Sequence, residues 1–162
     1  MNMVYCFKYP EVGLCKIGYT SCALSRLNSL KPFFGKADCY SPTLMGSRSS
    51  TRQLEQELLR TFQDKRKDSS DVAKMGRFMS GLQGKTECFD IGVSEDIESE
   101  MLKIAYMRSK GGIKYRNLGA YICNLREEFL SETVEIKSRM KAALSCINHL
   151  VILPHGSPTK KK

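Results

Sequence analysis

Several familiar protein classes are excluded by what this sequence lacks. No C-x-x-C pair occurs, and the only histidines, His149 and His155, lie near the C-terminal end. The seven cysteines (Cys6, Cys15, Cys22, Cys39, Cys88, Cys123 and Cys146) are scattered and odd in number. That pattern suits neither a structural zinc site nor a disulfide framework, and it reads as reduced thiols filling a core. No run approaches the ~18 apolar residues of a membrane span. The first residues show no basic segment leading into an apolar one, so a cytoplasmic protein is expected. Internal repeats, helix-turn-helix signatures and zinc fingers are likewise missing.

Positive charge is what the chain has in excess. Twenty-six Lys and Arg against 17 Asp and Glu give a net charge of +9. The excess is concentrated. Residues 12–54 hold six basic side chains and a single acid, Asp38, while residues 101–126 hold Lys103, Arg108, Lys110, Lys114, Arg116 and Arg126 with no acid. Stretches of this kind suit a phosphate backbone, so nucleic acid is the expected partner, ahead of a membrane surface or an acidic protein. Lys31, Lys36, Arg48, Arg52, Lys110, Lys114 and Arg116 are the candidate contacts.

Patterning predicts an α+β fold. Residues 3–9 alternate and are rich in β-formers, residues 10–13 supply turn chemistry, and residues 14–20 return, which makes a hairpin. Thr20 or Ser21 would cap a helix over residues 22–30 that ends at Pro32. Residues 39–46 read as a third strand, with Pro42 suggesting an edge or a bulge. A capping box at residues 50–53 opens a helix to Phe62, residues 63–71 read as a mobile loop, and residues 86–91 form a short fourth strand. Ser94 would cap a helix carrying Ile97, Met101 and Ile104; Gly111-Gly112 marks a break; one or two amphipathic helices follow. The implied division is a small domain at 1–93, a helical extension at 94–152 and a basic disordered tail at 153–162. The extension would serve packing, target recognition or a homodimer through residues 116–152.

Geometry separates two glutamates on the helix over residues 50–62. With Leu54 at zero, Leu58 lies at about 40°, Phe62 at about 80° and Leu59 at about 140°. Glu55, at about 100°, falls inside this apolar arc, whereas Glu57, at about 300°, falls outside it. Glu57 therefore reads as a solvated charge. Glu55 needs a cation or several donors, because a desolvated carboxylate is costly; an inward salt bridge would serve as well as a functional ligand. Arg26 sits at the edge of the apolar stripe of its helix and alone reads as an ordinary surface arginine. Tyr5 and Lys16 lie on paired strands, where cross-strand packing would explain them.

The order of these residues says more than any one of them. Met3-Val4-Tyr5, Lys16-Ile17-Gly18, Arg26 ten residues after Lys16, and Glu55 on a later helix together resemble the GIY-YIG nuclease superfamily. More closely, the chain resembles a phage and bacterial branch with the signature Y-K-I-G-x-T, arginine, E-x-x-L-H-x-x-F and G-E-x-F. The matching residues are Cys15 to Thr20, then Glu55, Leu58 and Phe62, then Thr86-Glu87-Cys88-Phe89. The match covers roughly residues 3–91, and it departs from the pattern at Met3, Cys15, Leu59 and Thr86. The family's usual asparagine also has no counterpart.

The resemblance implies a metal-dependent endonuclease, phage-encoded, that hydrolyses phosphodiester bonds in the host cytoplasm. Glu55 would hold one Mg²⁺ or Mn²⁺. Tyr5 would accept the proton of the attacking water, with Lys16 lowering its pKa or touching phosphate, and Arg26 would clamp the non-bridging oxygens. Tyr19 and Glu87 would line or support the cleft. The departures leave open a nucleic-acid-binding module with weak or no activity, and the helical part leaves open an interaction or inhibitor protein.

Overall fold

Alternating apolar residues build a hairpin, and the rest of the chain wraps both of its faces. The computed structural model describes residues 2–76, 87–131, 140–141, 144–145 and 147–154. The elements in its first half are β1 (Asn2–Tyr9), β2 (Leu14–Thr20), α1 (Ala23–Phe34), β3 (Ala37–Asp38), β4 (Pro42–Gly46) and α2 (Arg48–Thr61). The second half contains α3 (Ser69–Met75), β5 (Cys88–Asp90), α4 (Ser94–Met107), β6 (Lys114–Asn117), α5 (Leu118–Ser131), α6 (Ile147–Leu150) and β7 (Val151–Ile152). Five strands form an antiparallel sheet in the order β5-β2-β1-β4-β6, and β3 pairs separately with β7.

Each sheet face buries its own core. On one face Tyr5, Phe7, Tyr9 and Leu14 pack with Leu27, Leu30 and Phe34 of α1, Val72 of α3 and Ile122 of α5. On the other, Val4, Cys6, Cys15 and Ile17 meet Leu54 and Leu58 of α2 and Ile97, Met101 and Ile104 of α4. The apolar stripe expected on the helix of Leu54, Leu58 and Phe62 is thus its buried side. The described cysteines are free thiols, with Cys6, Cys15, Cys39 and Cys88 buried and Cys22 and Cys123 exposed.

Several local expectations give way to tertiary structure. Neither Thr20 nor Ser21 is the N-cap of α1; Cys22 is, and the Thr20 hydroxyl instead accepts from the Cys22 N–H. The helix runs through Pro32, because Phe34 beyond it is fully buried and that packing outweighs one missing backbone bond. Ser47, not the box at 50–53, caps α2, its Oγ accepting from Ser50 N at 3.3 Å. Pro42 opens an interior strand rather than marking an edge, since β4 lies between β1 and β6. Residues 63–71 are structured: a short turn of helix at Gln63–Lys65, a bridge from Arg66 to Phe89, and the start of α3 under an Asp68 cap. Val93, not Ser94, is the N-cap of α4, whereas Glu57 is solvent-facing as read, in a surface pair with Arg108 at 2.9 Å.

The region after residue 93 is more intimately joined to the sheet than a helical extension would be. Helix α4 lies in the second core, and β6, a strand the sequence pattern did not announce, pairs with β4 from Lys114 to Asn117. Gly112 takes a left-handed φ of 81° between α4 and β6, the turn its glycine permits. The second expected helix over residues 136–147 and the basic tail lie largely outside the described residues. No helix among the described residues is long and apolar enough to cross a membrane.

One flaw in the first core is testable. The Tyr9 hydroxyl is buried with no hydrogen-bond partner among the described residues, while its ring stacks on Phe34 at 4.9 Å. A buried unpaired hydroxyl costs about 1–3 kcal/mol. Tyr9→Phe should therefore raise the unfolding free energy by about 1 kcal/mol in urea titration; a loss of stability would reveal a partner for the hydroxyl.

Candidate functional site

The outer edge of β2 gathers most of the residues that the sequence singles out. Strand β5 pairs with β2 only at Leu14, Cys15 and Lys16, so Gly18 to Thr20 have no outer strand among the described residues. Glu87 stands just before β5 at this step, and its carbonyl accepts from Ile17 N at 3.1 Å. Helix α1 approaches from one face of the sheet with Arg26, and α2 approaches from the other with Glu55.

Register explains the glycine. Tyr5 lies directly opposite Gly18 and Phe7 opposite Lys16, and directly paired residues project from the same face. The Tyr5 ring stacks on Phe7, with centroids 3.9 Å apart, and extends across β2. A Cβ built on Gly18 would collide with the Tyr5 hydroxyl and ring. The lysine-isoleucine-glycine stretch thus leaves an empty position over which a phenol reaches the strand edge.

The charges at this edge interlock. Lys16 is only 5 % exposed, and its Nζ donates to Glu87 Oε2 at 3.1 Å. Arg66 Nη2 lies 3.6 Å from the other oxygen of Glu87. Glu87 holds φ at 62°, the only left-handed non-glycine residue among those described. A side chain that accepts such a backbone is fixed by its surroundings, and here two cations do the fixing.

Burial, with the negative charge of Glu87 second, raises the Glu55 carboxyl above its ordinary range, while Lys16 acts against them. Burial also pushes the Tyr5 phenol well above its usual value; Arg26 opposes that shift, and Glu55 and Glu87 add to it. Burial lifts the neighbouring Cys88 thiol to about 11, so it stays protonated at neutral pH.

Lys16 is engaged by Glu87, and Arg26 is the cation whose charge lowers the Tyr5 phenol. Tyr5 itself is held in its neutral form. Tyr19 lies on the opposite sheet face, opposite Val4, where its hydroxyl donates to Asn2 Oδ1 at 2.8 Å; it does not share the face of Tyr5 and Lys16. Glu87, which sequence reasoning ranked behind the others, is the hub of the cluster. Arg66 went unnoticed, because a charged run between two apolar segments carries no sign of tertiary pairing.

The basic residues are spread over the fold. Lys31 lies in the last turn of α1, Lys36 just beyond it, Arg48 and Arg52 on the exposed face of α2, and Lys110 between α4 and β6. Lys114 and Arg116 line one groove between β6 and α5.

Among the described residues no group of three or more His, Cys, Asp or Glu side chains is arranged to hold a metal. One carboxylate, Glu55, with Glu87 acting on it, is the donor set available. That set fits a hard cation that keeps most of its waters, since Mg²⁺ is commonly held by one or two carboxylates.

Two substitutions test this geometry. Gly18→Ala should destabilise the fold by about 1–3 kcal/mol, because the Tyr5 ring must move. Glu87→Ala should cost about 1–3 kcal/mol by stripping a buried ammonium of a partner. Glu87→Gly should cost roughly 1 kcal/mol less, since it alone relieves the left-handed backbone. Equal unfolding free energies for the two Glu87 variants would show that its backbone carries no strain.

The comparisons with known proteins place the chain in a family. Neither the curated proteins nor the solved structures hold a match to the chain. A family model, the T5orf172 domain, matches residues 2–105, which span the hairpin, α1, α2, β5 and most of α4. That domain is phage-associated and related to nuclease-like folds of the GIY-YIG kind. With about two thirds of its length so matched, the chain belongs to the T5orf172 domain family.

Proposed function

We propose that the protein is a metal-dependent DNA endonuclease of the GIY-YIG type. The observation that carries this reading is the convergence of Tyr5, the Lys16–Glu87 pair, Arg26 and Glu55 on the outer edge of β2 from three directions. Phosphodiester hydrolysis needs charge neutralisation at the phosphoryl oxygens and an oriented water, and this cluster has groups for both. Arg26 is exposed and has two N–H donors in a planar fork, suited to two non-bridging oxygens. Lys16, anchored by Glu87, presents a fixed positive charge along the same edge.

Glu55 would hold Mg²⁺ or Mn²⁺, which supplies Lewis-acid stabilisation of the phosphoryl oxygens when bound. Glu55 is half-buried and sits beside another carboxylate, an arrangement that penalises its ionised form in the absence of a cation. Tyr5 keeps its proton at neutral pH, so its hydroxyl orients the attacking water by hydrogen bonding. A phenolate there would require the nearby cations to outweigh burial.

That protonated phenol also favours a second reading, a DNA-binding module on the same fold with little hydrolytic activity. The two readings part in a plasmid-nicking assay with Mg²⁺ or Mn²⁺. The endonuclease reading expects wild type to convert supercoiled DNA to nicked or linear forms, Arg26→Ala to be slower by roughly 10²–10³-fold, and Glu55→Gln to be inactive. DNA binding without nicking by any of the three would establish the binding module.

Stability gives an independent check on Glu55. Its folded pKa is raised, so its contribution to stability is greatest at low pH and is lost as pH rises through that value. Glu55→Gln should therefore raise Tm at pH 7 in the presence of chelator, and the gain should shrink as pH falls into the acidic range. A Tm gain that is independent of pH would place Glu55 in an unperturbed environment.

A further inference from the structure

The groove between β6 and α5 stands apart from the cluster at β2, yet the sheet register ties the two together. Gly18 pairs with Tyr5, Tyr5 with Thr43, and Thr43 with Arg116, so these four form one row across the sheet on a single face. Thr20, Met3, Met45 and Lys114 form the adjacent row on that face. Strands lie about 4.8 Å apart, which puts the backbone of Arg116 about 10 Å from that of Tyr5. The edge strand is pinned, since Thr43 Oγ1 donates to the Arg116 carbonyl at 2.7 Å.

The groove has two unlike walls enclosing about 430 Å³, within the range of small-ligand sites. Lys114 and Arg116 form the strand wall; Tyr121, Asn124, Glu127 and Glu128 line the helix wall. None of the four charged groups forms an ion pair with a described residue. A phosphate is attracted to the strand wall and repelled by the carboxylates. The carboxylates accept hydrogen bonds from an exocyclic amine, the Asn124 amide both donates and accepts, and Tyr121 offers an aromatic ring.

We propose that this groove is a subsite for one nucleotide of the bound strand, close along that strand to the scissile phosphate. Its phosphate rests on Lys114 and Arg116, and its base, one carrying an exocyclic amine, rests against Tyr121, Asn124 and the glutamates. The inference rests on the nuclease reading for the identity of the scissile position.

The test is fluorescence anisotropy of oligo-dC and oligo-dT across a salt series, with thermal melts to verify folding of the variants. The subsite predicts that Lys114→Ala/Arg116→Ala weakens oligo-dC binding about tenfold or more and lowers the salt slope by up to about two. Wild type should prefer oligo-dC to oligo-dT, and Glu127→Ala/Glu128→Ala should close that gap. Wild-type affinity and slope in the double basic variant would overturn the subsite while leaving the nuclease reading intact, as would equal binding of the two oligonucleotides by wild type. Failure of wild type to bind either DNA at low salt would overturn both.

Discussion

The ion pair between Lys16 and Glu87 is the constraint on which the rest of the edge depends. Lys16 is buried within a strand whose neighbours are aromatic and aliphatic, so its ammonium requires a fixed anion. Glu87 supplies it from a left-handed backbone at the entrance to β5, and Arg66 holds the second oxygen. This arrangement holds the start of β5 beside Lys16 of β2. The part of β2 that has no outer strand among the described residues is where Tyr5, Arg26 and Glu55 converge.

The same constraint sets the electrostatics. A carboxylate fixed at Glu87 disfavours a second ionised carboxylate at Glu55, and burial adds to that cost. In the folded chain the arrangement penalises the ionised form of Glu55, and a bound cation of the proposed kind would relieve that cost. Tyr9, whose buried hydroxyl has no hydrogen-bond partner among the described residues, adds a second local departure from the best packing.

Much of the fold was legible because its signals are local. The alternation of residues 3–9 and 14–20 and the apolar stripe of Leu54, Leu58 and Phe62 each specify their element unaided. What the sequence concealed depends on partners remote in the chain. Lys114 to Asn117 carry no strong strand pattern and become a strand because β4 offers an edge. Helix α1 continues past Pro32 because Phe34 finds a place in the core. For the site, the spacing of Tyr5, Lys16, Gly18, Arg26 and Glu55 could be read, and Gly18 acquires its reason from the phenol above it. The central position of Glu87, the partner that Arg66 finds in it and the protonated state of Tyr5 could not be read. Each arises from the docking of β5 beside β2 and from the depth of burial, which exist only in the folded chain.

Glu55 is proposed to hold a divalent cation at an edge built by the Lys16–Glu87 pair. The most direct measurement is calorimetric titration of Mn²⁺ into wild type, Glu55→Gln and Glu57→Gln. Glu57 is the control, since it lies on the same helix but pairs with Arg108. A cation held by Glu55 should give a single binding event that survives Glu57→Gln and disappears in Glu55→Gln. Mn²⁺ binding that is unchanged in Glu55→Gln would contradict it.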